Sequence, residues 1–407
     1  MTELKRVVIT GMGITSSIGL GLKDVLKSLR DRTSGITFNP EYKEMGLRSW
    51  VSGPINVDPA LHIPRRQLRF MADAAIFAYL SLKEAIEDAG LSPTDVSSAM
   101  TGLIAGSGGA SSATQVAAAD ILRKTGVKRI GPYGVTKCSG NTVSACLASP
   151  FDIKGMSMSI TSACATSAHC IMMAADQIKL GKQKIMFAGG GEEEHWSISC
   201  LFDAMGALSA GFNSNPEQAS RPWDGKRDGF VIAAGGGFVV LEEMESAIKR
   251  NAKIYGELAG YSATSDGEGG VVAPSGDGSF RCMQNAIGDH KDIDYVNAHS
   301  TSTPVGDTAE LATIRKVFGD QKIPVSSTKS QTGHSLGAAG VQEAIYSLLM
   351  MENDFMAGTL NLENPPEDKG NVNLLTENQV GVKLKKVVSN AFGFGGTNSS
   401  LLFTKLM

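Results

Sequence analysis

The feature that most constrains the fold is a unit that recurs along the chain. A short run of apolar, often β-branched residues is followed by a turn rich in Gly, Ser and Ala, and then by a helical pattern of small residues. Nearly continuous apolar runs are typical of strands that are covered by helices on both faces. The pattern predicts an α/β protein with strands at 6–10, 102–105, 157–162, 185–188, 230–241, 255–261, 293–298, 324–327 and 386–389, and helices at 22–30, 69–89, 113–125, 166–180, 242–251, 307–318 and 338–352.

Two strand-to-helix corners, one in each half of the chain, correspond to each other. The strand at 157–162 leads directly into a helix, and the strand at 324–327 leads through a polar segment into the helix at 338–352. Although no literal repeat is visible, we predict an internal duplication. Its N-terminal half, 1–250, carries a candidate nucleophile, and its C-terminal half, 251–407, carries two candidate histidines.

Composition excludes several classes of protein. With 42% hydrophobic and 19% charged residues, the chain of 407 residues is too apolar to be disordered. A net charge of -3 gives no reason to expect a nucleic-acid partner. The longest apolar stretch, 230–241, is well short of the roughly 20 residues that span a bilayer. The N-terminus lacks the apolar segment of a secretory signal, so we expect a cytoplasmic protein without membrane insertion.

The cysteines form neither a C-x-x-C pair nor a disulfide framework, so we expect reduced thiols. They are Cys138, Cys146, Cys164, Cys170, Cys200 and Cys282. The 47 glycines and 17 methionines predict close backbone packing and an adaptable apolar pocket. Such a pocket suits a long flexible ligand.

The segment 11–19 follows the first strand and contains three glycines. It does not keep the G-x-G-x-x-G spacing of a dinucleotide loop, and no second strand ends in an acidic residue about 20 positions later. We interpret it as a tight turn.

Cys164 is the candidate nucleophile. It lies in the stretch Ser162-Ala163-Cys164-Ala165-Thr166, which we expect to form the first turn of a helix. A helix N-terminus favours a thiolate, and its backbone N–H groups can hold an oxyanion. Taken alone, a cysteine among small residues is more often an inert core residue.

Two histidines lie in polar corners just after a predicted strand. His299 follows the strand at 293–298, and His334 follows the strand at 324–327. Because α/β folds place their sites at the carboxyl ends of strands, a Cys and two His in such corners indicate one shared centre. His169 lies within the small-residue helix after Cys164, where a hydrogen-bonded core histidine is the simpler interpretation. The other three histidines lie in polar surroundings and are expected near the surface.

Zinc could use Cys164, His299 and His334 as ligands, but no pair has the short spacing of a zinc site, so we predict no metal. Lys329 could tune the charge near His334, and Glu343 on the following helix could neutralise Lys329. An ordinary ion pair is the alternative for these two residues.

The segment 389–398 combines polar residues and three glycines after a predicted strand. Such a loop lets the backbone approach a substrate and supplies N–H donors. Its two phenylalanines, Phe392 and Phe394, could gate an apolar tunnel. A glycine-rich turn with core aromatics is the alternative.

Two basic clusters, 62–69 and 123–129, stand out in an acidic chain. Clustered cations can dock an acidic partner and accelerate its association. A solvated face is the more common meaning of a charge run.

With these motifs in this order, essentially the whole chain resembles the β-ketoacyl-acyl carrier protein synthases, the condensing enzymes of fatty acid synthesis. The matching motifs are the Cys164 stretch, the Asn297-Ala298-His299 to Thr303-Pro304 segment, Thr328-Lys329 through Gly333-His334, and Gly393-Phe394-Gly395-Gly396-Thr397-Asn398. The resemblance implies a thiolase-like fold, layered α/β/α/β/α, with two pseudo-duplicated halves. Two histidines are typical of the elongating synthases.

Within the elongating class, the stretches 162–170, 188–193 and 202–209 are most similar to type I, which is associated in bacteria with unsaturated fatty acid synthesis. The stretch 219–224 is more similar to type II. Ser300 stands where the family usually has Gly, and Ala391 where it usually has Ser. We expect Ser300 to influence how His299 points.

The resemblance implies a role for each matching residue. Cys164 would take an acyl chain from acyl carrier protein as a thioester, and His299 and His334 would donate hydrogen bonds to malonyl-acyl carrier protein during decarboxylation. The N–H groups of Cys164 and Phe394 would form an oxyanion hole, and Lys329 and Glu343 would set the local charge. Thr301 and Thr303 would bind the pantetheine arm, the remaining candidate substrate-binding residues being Gly108, Gln115, Phe202, Met205 and Phe392.

The resemblance also implies an acyltransferase that needs no cofactor, because its substrates are carried on the phosphopantetheine of acyl carrier protein. It implies a homodimer whose interface joins the central sheets. The acidic carrier protein would dock on the basic clusters, through Arg65, Arg66, Arg69, Lys124 and Lys128.

Other activities remain as alternatives. A thiolase that uses coenzyme A needs a second cysteine near the C-terminus, but no cysteine follows Cys282. A non-catalytic chain-length subunit would lack the nucleophile. A Cys–His thioester hydrolase would release free acid without malonyl thioester.

Overall fold

A computed structural model describes residues 4–406. The strands are β1 (Val7–Ser16), β2 (Gly19–Leu20), β3 (Thr37–Phe38), β4 (Val51–Ser52), β5 (Thr101–Gly106), β6 (Ser157–Met158), β7 (Ile185–Glu192), β8 (Gly235–Glu243), β9 (Gly256–Ser265), β10 (Tyr295–Asn297), β11 (Pro324–Ser326), β12 (Phe355–Met356), β13 (Asn373–Leu374), β14 (Gln379–Val380), β15 (Lys386–Gly393) and β16 (Thr397–Thr404).

The helices are α1 (Leu22–Asp31), α2 (Pro40–Glu44), α3 (Arg65–Leu68), α4 (Asp73–Asp88), α5 (Pro93–Val96), α6 (Ser112–Thr125), α7 (Gly134–Cys138), α8 (Thr142–Ala148), α9 (Thr166–Lys179), α10 (Trp196–Ala204), α11 (Met244–Lys249), α12 (Asp277–Ile287), α13 (Pro304–Phe318), α14 (Lys329–Thr332) and α15 (Ala339–Glu352). Short 3-10 turns lie at Pro59–Leu61, Val127–Arg129, Pro216–Gln218, Leu336–Ala338 and Glu367–Lys369.

One mixed sheet of 12 strands runs in the order β13-β11-β10-β15-β16-β9-β1-β8-β7-β5-β6, with β2 beside β1. From β6 inward, two parallel pairings, β6–β5 and β5–β7, are followed by two antiparallel ones, β7–β8 and β8–β1. From β11 inward, the pairings follow the same order: β11–β10 and β10–β15 are parallel, and β15–β16 and β16–β9 are antiparallel. Only two residue pairs join β1 to β9. The boundary near residue 250 between two duplicated halves stays a prediction.

Helices α9 and α15 form the central layer. They pack on each other, α9 also on β5, β7 and β16, and α15 on β8, β1 and β15. Helix α4 covers the outer face of β1, β8 and β7, and α12 covers β9 and β16 with α13 behind it. The largest apolar core cluster surrounds α9 and α15. Among residues 4–406, no helix combines the length and apolarity needed to cross a bilayer.

Gly340 explains how closely the two central helices approach. A Cβ atom at this position would lie 2.9 Å from both the Cβ and the backbone N of Ala168. Because glycine lacks that atom, α15 can lie directly against the first turns of α9. This contact joins the two corners that the sequence analysis singled out.

The predicted elements exist with shifted ends. The strand predicted at 230–241 begins at Gly235, because residues 230–234 make isolated bridges to neighbouring loops instead. The strand predicted at 157–162 ends at Met158, and the helix predicted at 69–89 begins at Asp73, after the separate α3. Among the elements of seven or more residues, the sequence analysis missed α8, α10, α12 and β16. Helix α12 follows a glycine-rich loop, and β16 opens with four polar residues, so neither begins with an apolar pattern.

Candidate active site

Cys164, His299 and His334 converge although they are distant in sequence. Cys164 lies in the turn before α9, His299 follows β10, and His334 follows α14. The Cys164 Sγ is 3.0 Å from Nε2 of His334, and the two imidazole rings are 5.4 Å apart in an edge-to-face arrangement. All three residues offer ligand-type atoms within 4.8 Å of one another. The shared centre predicted from the sequence is thus present in the structure.

Strained backbone lies on both sides of this pair. Ala163, immediately before the nucleophile, has φ 48, and Leu336, two residues after His334, has φ 43. Non-glycine residues in the left-handed region cost on the order of 1–3 kcal/mol each and persist where the surroundings over-determine them. Here the surroundings aim the thiol and the imidazole at each other.

Cys164 precedes the first helical residue of α9, Thr166, by two positions. Burial raises the pKa of its thiol to about 12, the Lys329 ammonium opposes this, and Glu192 and Glu343 add to it. The sequence analysis expected the helix N-terminus to lower this pKa. In the resting site, withdrawal from water outweighs the helix terminus, so the thiol is neutral until a base accepts its proton.

His299 is fixed from both its backbone and its ring. Its backbone N–H donates to Glu310 on α13 at 2.9 Å. Its Nδ1 lies 3.4 Å from Nζ of Lys329. Because an ammonium only donates, Nδ1 accepts from it, which leaves the proton of a neutral ring on Nε2. His299 is therefore a hydrogen-bond donor through Nε2.

Burial holds the pKa of both histidines well below the ordinary value of 6.5, and the charge of Lys329 acts in the same direction. Both imidazoles are therefore neutral near pH 7. Lys329 itself is paired with Glu343 in the protein interior, where both side chains are 2% exposed. Burial raises the pKa of Glu343 to about 7, against the opposing effect of Lys329.

A cavity of about 470 Å³ opens over the three reactive side chains. Five of the predicted substrate-binding residues line it: Thr301, Thr303, Phe202, Met205 and Phe392. Phe394 also lines it and is 39% exposed. The wall is partly aromatic, since the ring of Phe230 lies 5.5 Å from that of His334 and 5.3 Å from that of Phe202.

Gly393 brings the two candidate oxyanion-hole segments together. A Cβ atom at this position would lie 3.1 Å from both the backbone N of Cys164 and the carbonyl O of Ser162. The absence of that atom lets the last residue of β15 lie against the nucleophile turn. Phe394 follows immediately, so its N–H and that of Cys164 belong to adjoining segments.

Two predicted substrate-binding residues lie outside the cavity lining. The N–H of Gly108 donates to Glu192 at 2.6 Å, and Gln115 is exposed on α6. Their roles stay predictions. The predicted docking residues Arg65, Arg66, Arg69, Lys124 and Lys128 are all exposed.

The two basic clusters adjoin. The guanidinium of Arg69 lies 4.9 Å from the ring of Phe70 and 5.3 Å from that of Tyr133, just beyond the second cluster. The side chain of Thr136 also donates to the backbone of Phe70. The first cluster is therefore in contact with the segment that directly follows the second.

The sequence analysis missed two buried carboxylates. Glu310 accepts hydrogen bonds from the backbone of His299 and from both the N–H and the hydroxyl of Ser300, the latter at 2.7 Å. Glu192 accepts from the loop after β5 and from Gly337, three residues beyond His334. Glu310 could have been suspected from its place on the helix that follows the His299 corner. The hydroxyl of Ser300 is engaged with Glu310, whereas its effect on His299 stays a prediction.

Comparisons with known proteins agree with this geometry. Residues 4–247 match the family model "Beta-ketoacyl synthase, N-terminal domain", and residues 255–363 match the corresponding C-terminal domain. A crystal structure of a beta-ketoacyl synthase from Burkholderia phymatum superposes with a TM-score of 0.93 at 32% identity, covering 99% of this chain and 100% of that one. The chain therefore belongs to the β-ketoacyl synthase family and has its thiolase-like fold, as the sequence predicted.

Two curated relatives narrow the comparison. The 3-oxoacyl-(acyl-carrier-protein) synthase 1 of Escherichia coli K12 is 57% identical over 406 residues, which cover 99% of this chain and 100% of the relative. The protein of the same name from Haemophilus influenzae is 54% identical over 404 residues, 99% of each chain.

Proposed function

We propose that this protein condenses an acyl chain, delivered by acyl carrier protein, with malonyl-acyl carrier protein to give 3-oxoacyl-acyl carrier protein in fatty acid elongation. The observation that carries this proposal is the 3.0 Å contact between Sγ of Cys164 and Nε2 of His334, with His299 in the same cavity. A thiol with a base at hydrogen-bond distance can form a thioester, and a second neutral histidine can stabilise an enolate. The family and the full-length relatives support the same acyltransferase activity.

In the acylation step, the thiol of Cys164 attacks the thioester carbonyl of the incoming chain. Because its raised pKa keeps it protonated, His334 accepts the proton through Nε2 as the S–C bond forms. The carbonyl oxygen gains negative charge, and the N–H groups of Cys164 and Phe394 donate hydrogen bonds to it. Collapse of this intermediate breaks the bond to the pantetheine sulfur, which takes the proton back from His334.

In the decarboxylation step, malonyl thioester loses CO2 and its electron pair forms an enolate. His299 donates through Nε2 to the enolate oxygen, since its Nδ1 is held by Lys329. The acylated sulfur no longer offers a proton, and the single proton of neutral His334, which was on Nδ1 while Nε2 accepted from Cys164, must be on Nε2 for His334 to donate the second hydrogen bond. Donors aimed at developing charge are typically worth about 3–4 kcal/mol each.

In the condensation step, the enolate carbon attacks the thioester carbon on Cys164. A C–C bond forms, the C–S bond to Cys164 breaks, and the thiolate takes up one proton, which solvent supplies through His334, so the net reaction consumes one proton and releases CO2. The same two N–H groups receive the charge on the acyl oxygen. No redox equivalent or resident cofactor enters this balance, and a metal ion at the three ligands would face the neighbouring Lys329 ammonium.

We assign the mouth of the cavity to the pantetheine arm and its apolar wall to the acyl chain. The hydroxyls of Thr301 and Thr303 lie 3.2 Å apart at one side, where they can bind the amides of the arm. Phe202, Met205, Phe392 and Phe394 supply apolar contacts. Both curated relatives are named synthase 1, which favours a type I synthase. We therefore propose that the protein also extends unsaturated chains.

We infer that acyl carrier protein docks on the surface formed by the two basic clusters. The side chains of all five predicted docking residues are exposed to solvent: Arg65, Arg66, Arg69, Lys124 and Lys128. Complementary charge accelerates encounter with an acidic partner and fixes its orientation.

We infer a homodimer that extends the sheet through β6. This strand ends the sheet, both of its residues are exposed, and Met158 is 41% exposed. Helix α6 contains no buried residue: its Leu122 is 52% exposed, and in the segment that follows it Val127 is 69% and Val135 79% exposed. An open edge beside exposed apolar side chains suits a second copy of the chain.

We propose a cytoplasmic location, because the reaction needs Cys164 as a free thiol. All six cysteines are unpaired in the structure. Cytosolic reductants keep thiols in this state.

The test is the intact mass of the protein after mixing with decanoyl-acyl carrier protein, followed by addition of malonyl-acyl carrier protein. We expect an acyl adduct on the wild type but not on Cys164→Ala, and its discharge to a product two carbons longer with release of CO2. An adduct that water discharges alone would establish a thioester hydrolase instead. No adduct would favour a non-catalytic subunit.

A further inference from the structure

His169, on the first turn of α9, bridges two segments that are far apart in sequence. Its Nδ1 lies 2.6 Å from Oγ of Ser162, and its Nε2 lies 3.3 Å from the carbonyl O of Asn398. The sequence analysis expected a hydrogen-bonded core residue. We propose that His169 is a positioning residue that holds the two halves of the oxyanion hole at their working separation. This inference rests on the proposed function.

The partners of His169 define its protonation. A carbonyl oxygen can only accept, so the contact with Asn398 requires a proton on Nε2. Burial lowers the pKa of His169, which keeps the ring neutral with this single proton. Nδ1 therefore accepts from the hydroxyl of Ser162. One neutral imidazole thus links a donor on one segment to an acceptor on the other.

These two segments carry the proposed oxyanion donors. Ser162 lies two residues before Cys164. Asn398, the second residue of β16, pairs with Phe392 at the base of the hairpin whose turn contains Phe394. Gly393, between them, lies against the backbone of both Ser162 and Cys164. A longer distance from Ser162 to Asn398 should therefore move the N–H groups of Cys164 and Phe394 apart.

The hairpin turn is held by contacts with neighbouring segments. Its residues Gly395 and Gly396 have φ 88 and 68, the N–H of Gly395 donates to the carbonyl O of Val271 at 2.7 Å, and the carbonyl O of Gly396 accepts from the N–H of Asp266 at 2.9 Å. On the side away from α9, the amide of Asn398 donates to Asp266 at 2.8 Å. On the side of the nucleophile, His169 makes the corresponding contact. The base of the turn is thus held from both sides.

The two parts of the site serve different steps, which makes the role of His169 testable. Decarboxylation of malonyl thioester depends on His299 and His334 without the oxyanion hole, whereas acylation of Cys164 needs the oxyanion hole as well as His334. A positioning role in the hole predicts slower acylation without slower decarboxylation. A general loss of packing would slow both.

The experiment uses the full-length protein with His169→Ala, His169→Asn and His169→Gln, and His290→Gln as the control at an exposed histidine. Acylation is followed by intact mass with decanoyl-acyl carrier protein. Decarboxylation is followed as CO2 release from malonyl-acyl carrier protein, with each variant placed in the Cys164→Ala background so that no acyl transfer competes.

We expect His169→Ala to slow acylation about tenfold or more, since small misplacements of catalytic groups have effects of this size. Decarboxylation should stay within about twofold of its parent. Asn can keep the acceptor for Ser162 and Gln the donor to Asn398, so each should recover part of the loss. Ser162→Ala removes the hydroxyl that donates to Nδ1 of His169, so it should resemble His169→Gln. This variant tests the contact even if His169→Ala fails to fold.

Equal losses in both steps, or unchanged acylation in the three His169 variants, would overturn the inference. Failure of the proposed function looks different, because the wild type itself would then form no acyl adduct that malonyl thioester discharges.

Discussion

At the scale of single residues, charge and burial decide the chemistry of the site. Lys329 lies beside His299 and is paired with Glu343 in the interior. Its positive charge lowers the pKa of both histidines in addition to the effect of burial. It thereby keeps them neutral, which is the form that donates to an enolate without carrying charge itself.

The pH dependence of decarboxylation tests this role of Lys329. Wild-type decarboxylation should show no loss at pH 6.5, because both histidine pKa values lie well below it. Lys329→Met removes the positive charge that lowers the pKa of His299 and His334, so both pKa values rise. The loss of activity on the acid side therefore moves to higher pH. The measurement is CO2 release from malonyl-acyl carrier protein between pH 5 and 8.

A variant with an unchanged acid limb would show that Lys329 does not act through the histidines. Lys23→Met, an exposed lysine on α1, is the control.

At the scale of elements, the site depends on how closely α9 and α15 approach. Cys164 precedes α9 and His334 precedes α15, so the crossing of these helices sets the distance between the thiol and the imidazole. Gly340 lies at the crossing, where a Cβ would meet Ala168 at 2.9 Å and Oγ of Ser167 at 3.3 Å. Close-packed interiors yield little to an added methyl group.

Gly340→Ala should therefore destabilise the protein by about 1–3 kcal/mol, the usual cost of overpacking a core. The free energy of unfolding in urea measures this. Gly140→Ala is the matched control, because a Cβ there meets no atom within 4 Å. Equal stability of the two variants would mean that the helices separate without cost.

At the scale of the whole molecule, the proposed function involves two surfaces. The exposed edge β6, with the apolar side chains near α6, is proposed to join a second copy of the chain. The basic clusters are proposed to receive acyl carrier protein. Since an edge strand presents unpaired N–H and C=O groups, a charge placed on it opposes pairing.

Met158→Lys should shift the protein from dimer to monomer in light scattering after size exclusion. Ile248→Lys, at an apolar residue that is 58% exposed on α11, should leave the dimer intact. A wild-type monomer, or a Met158→Lys dimer of the same strength, would contradict the proposed interface.

Arg66→Glu should raise KM for acyl-acyl carrier protein several-fold at low salt and leave kcat unchanged, because a rim charge acts mainly on association. The effect should shrink as salt screens the charges. Lys23→Glu is the control for a charge reversal elsewhere, and a small pantetheine thioester is the control substrate. Equal losses with that small substrate would assign Arg66 to the fold.

The sequence by itself determined the layered α/β class and the family, and it predicted the candidate residues Cys164, His299, His334, Lys329 and Glu343 that the structure brings together. Apolar periodicity and residue chemistry are local properties, and the motifs carry them in the linear chain. The sequence predicted the ends of β6 and β8 less accurately, because loops compete there for the backbone hydrogen bonds of the strands.

Only the tertiary structure decided the protonation of the site and the partners of its supporting residues. Cys164 and His334 are 170 positions apart, and His169 and Asn398 are 229 apart. The pKa of a thiol and the tautomer of an imidazole depend on burial and on which donors and acceptors surround them. Those surroundings exist only once distant segments pack together, so the raised pKa of Cys164, the roles of Glu310 and Glu192, and the bridge through His169 could not be read from residue patterns.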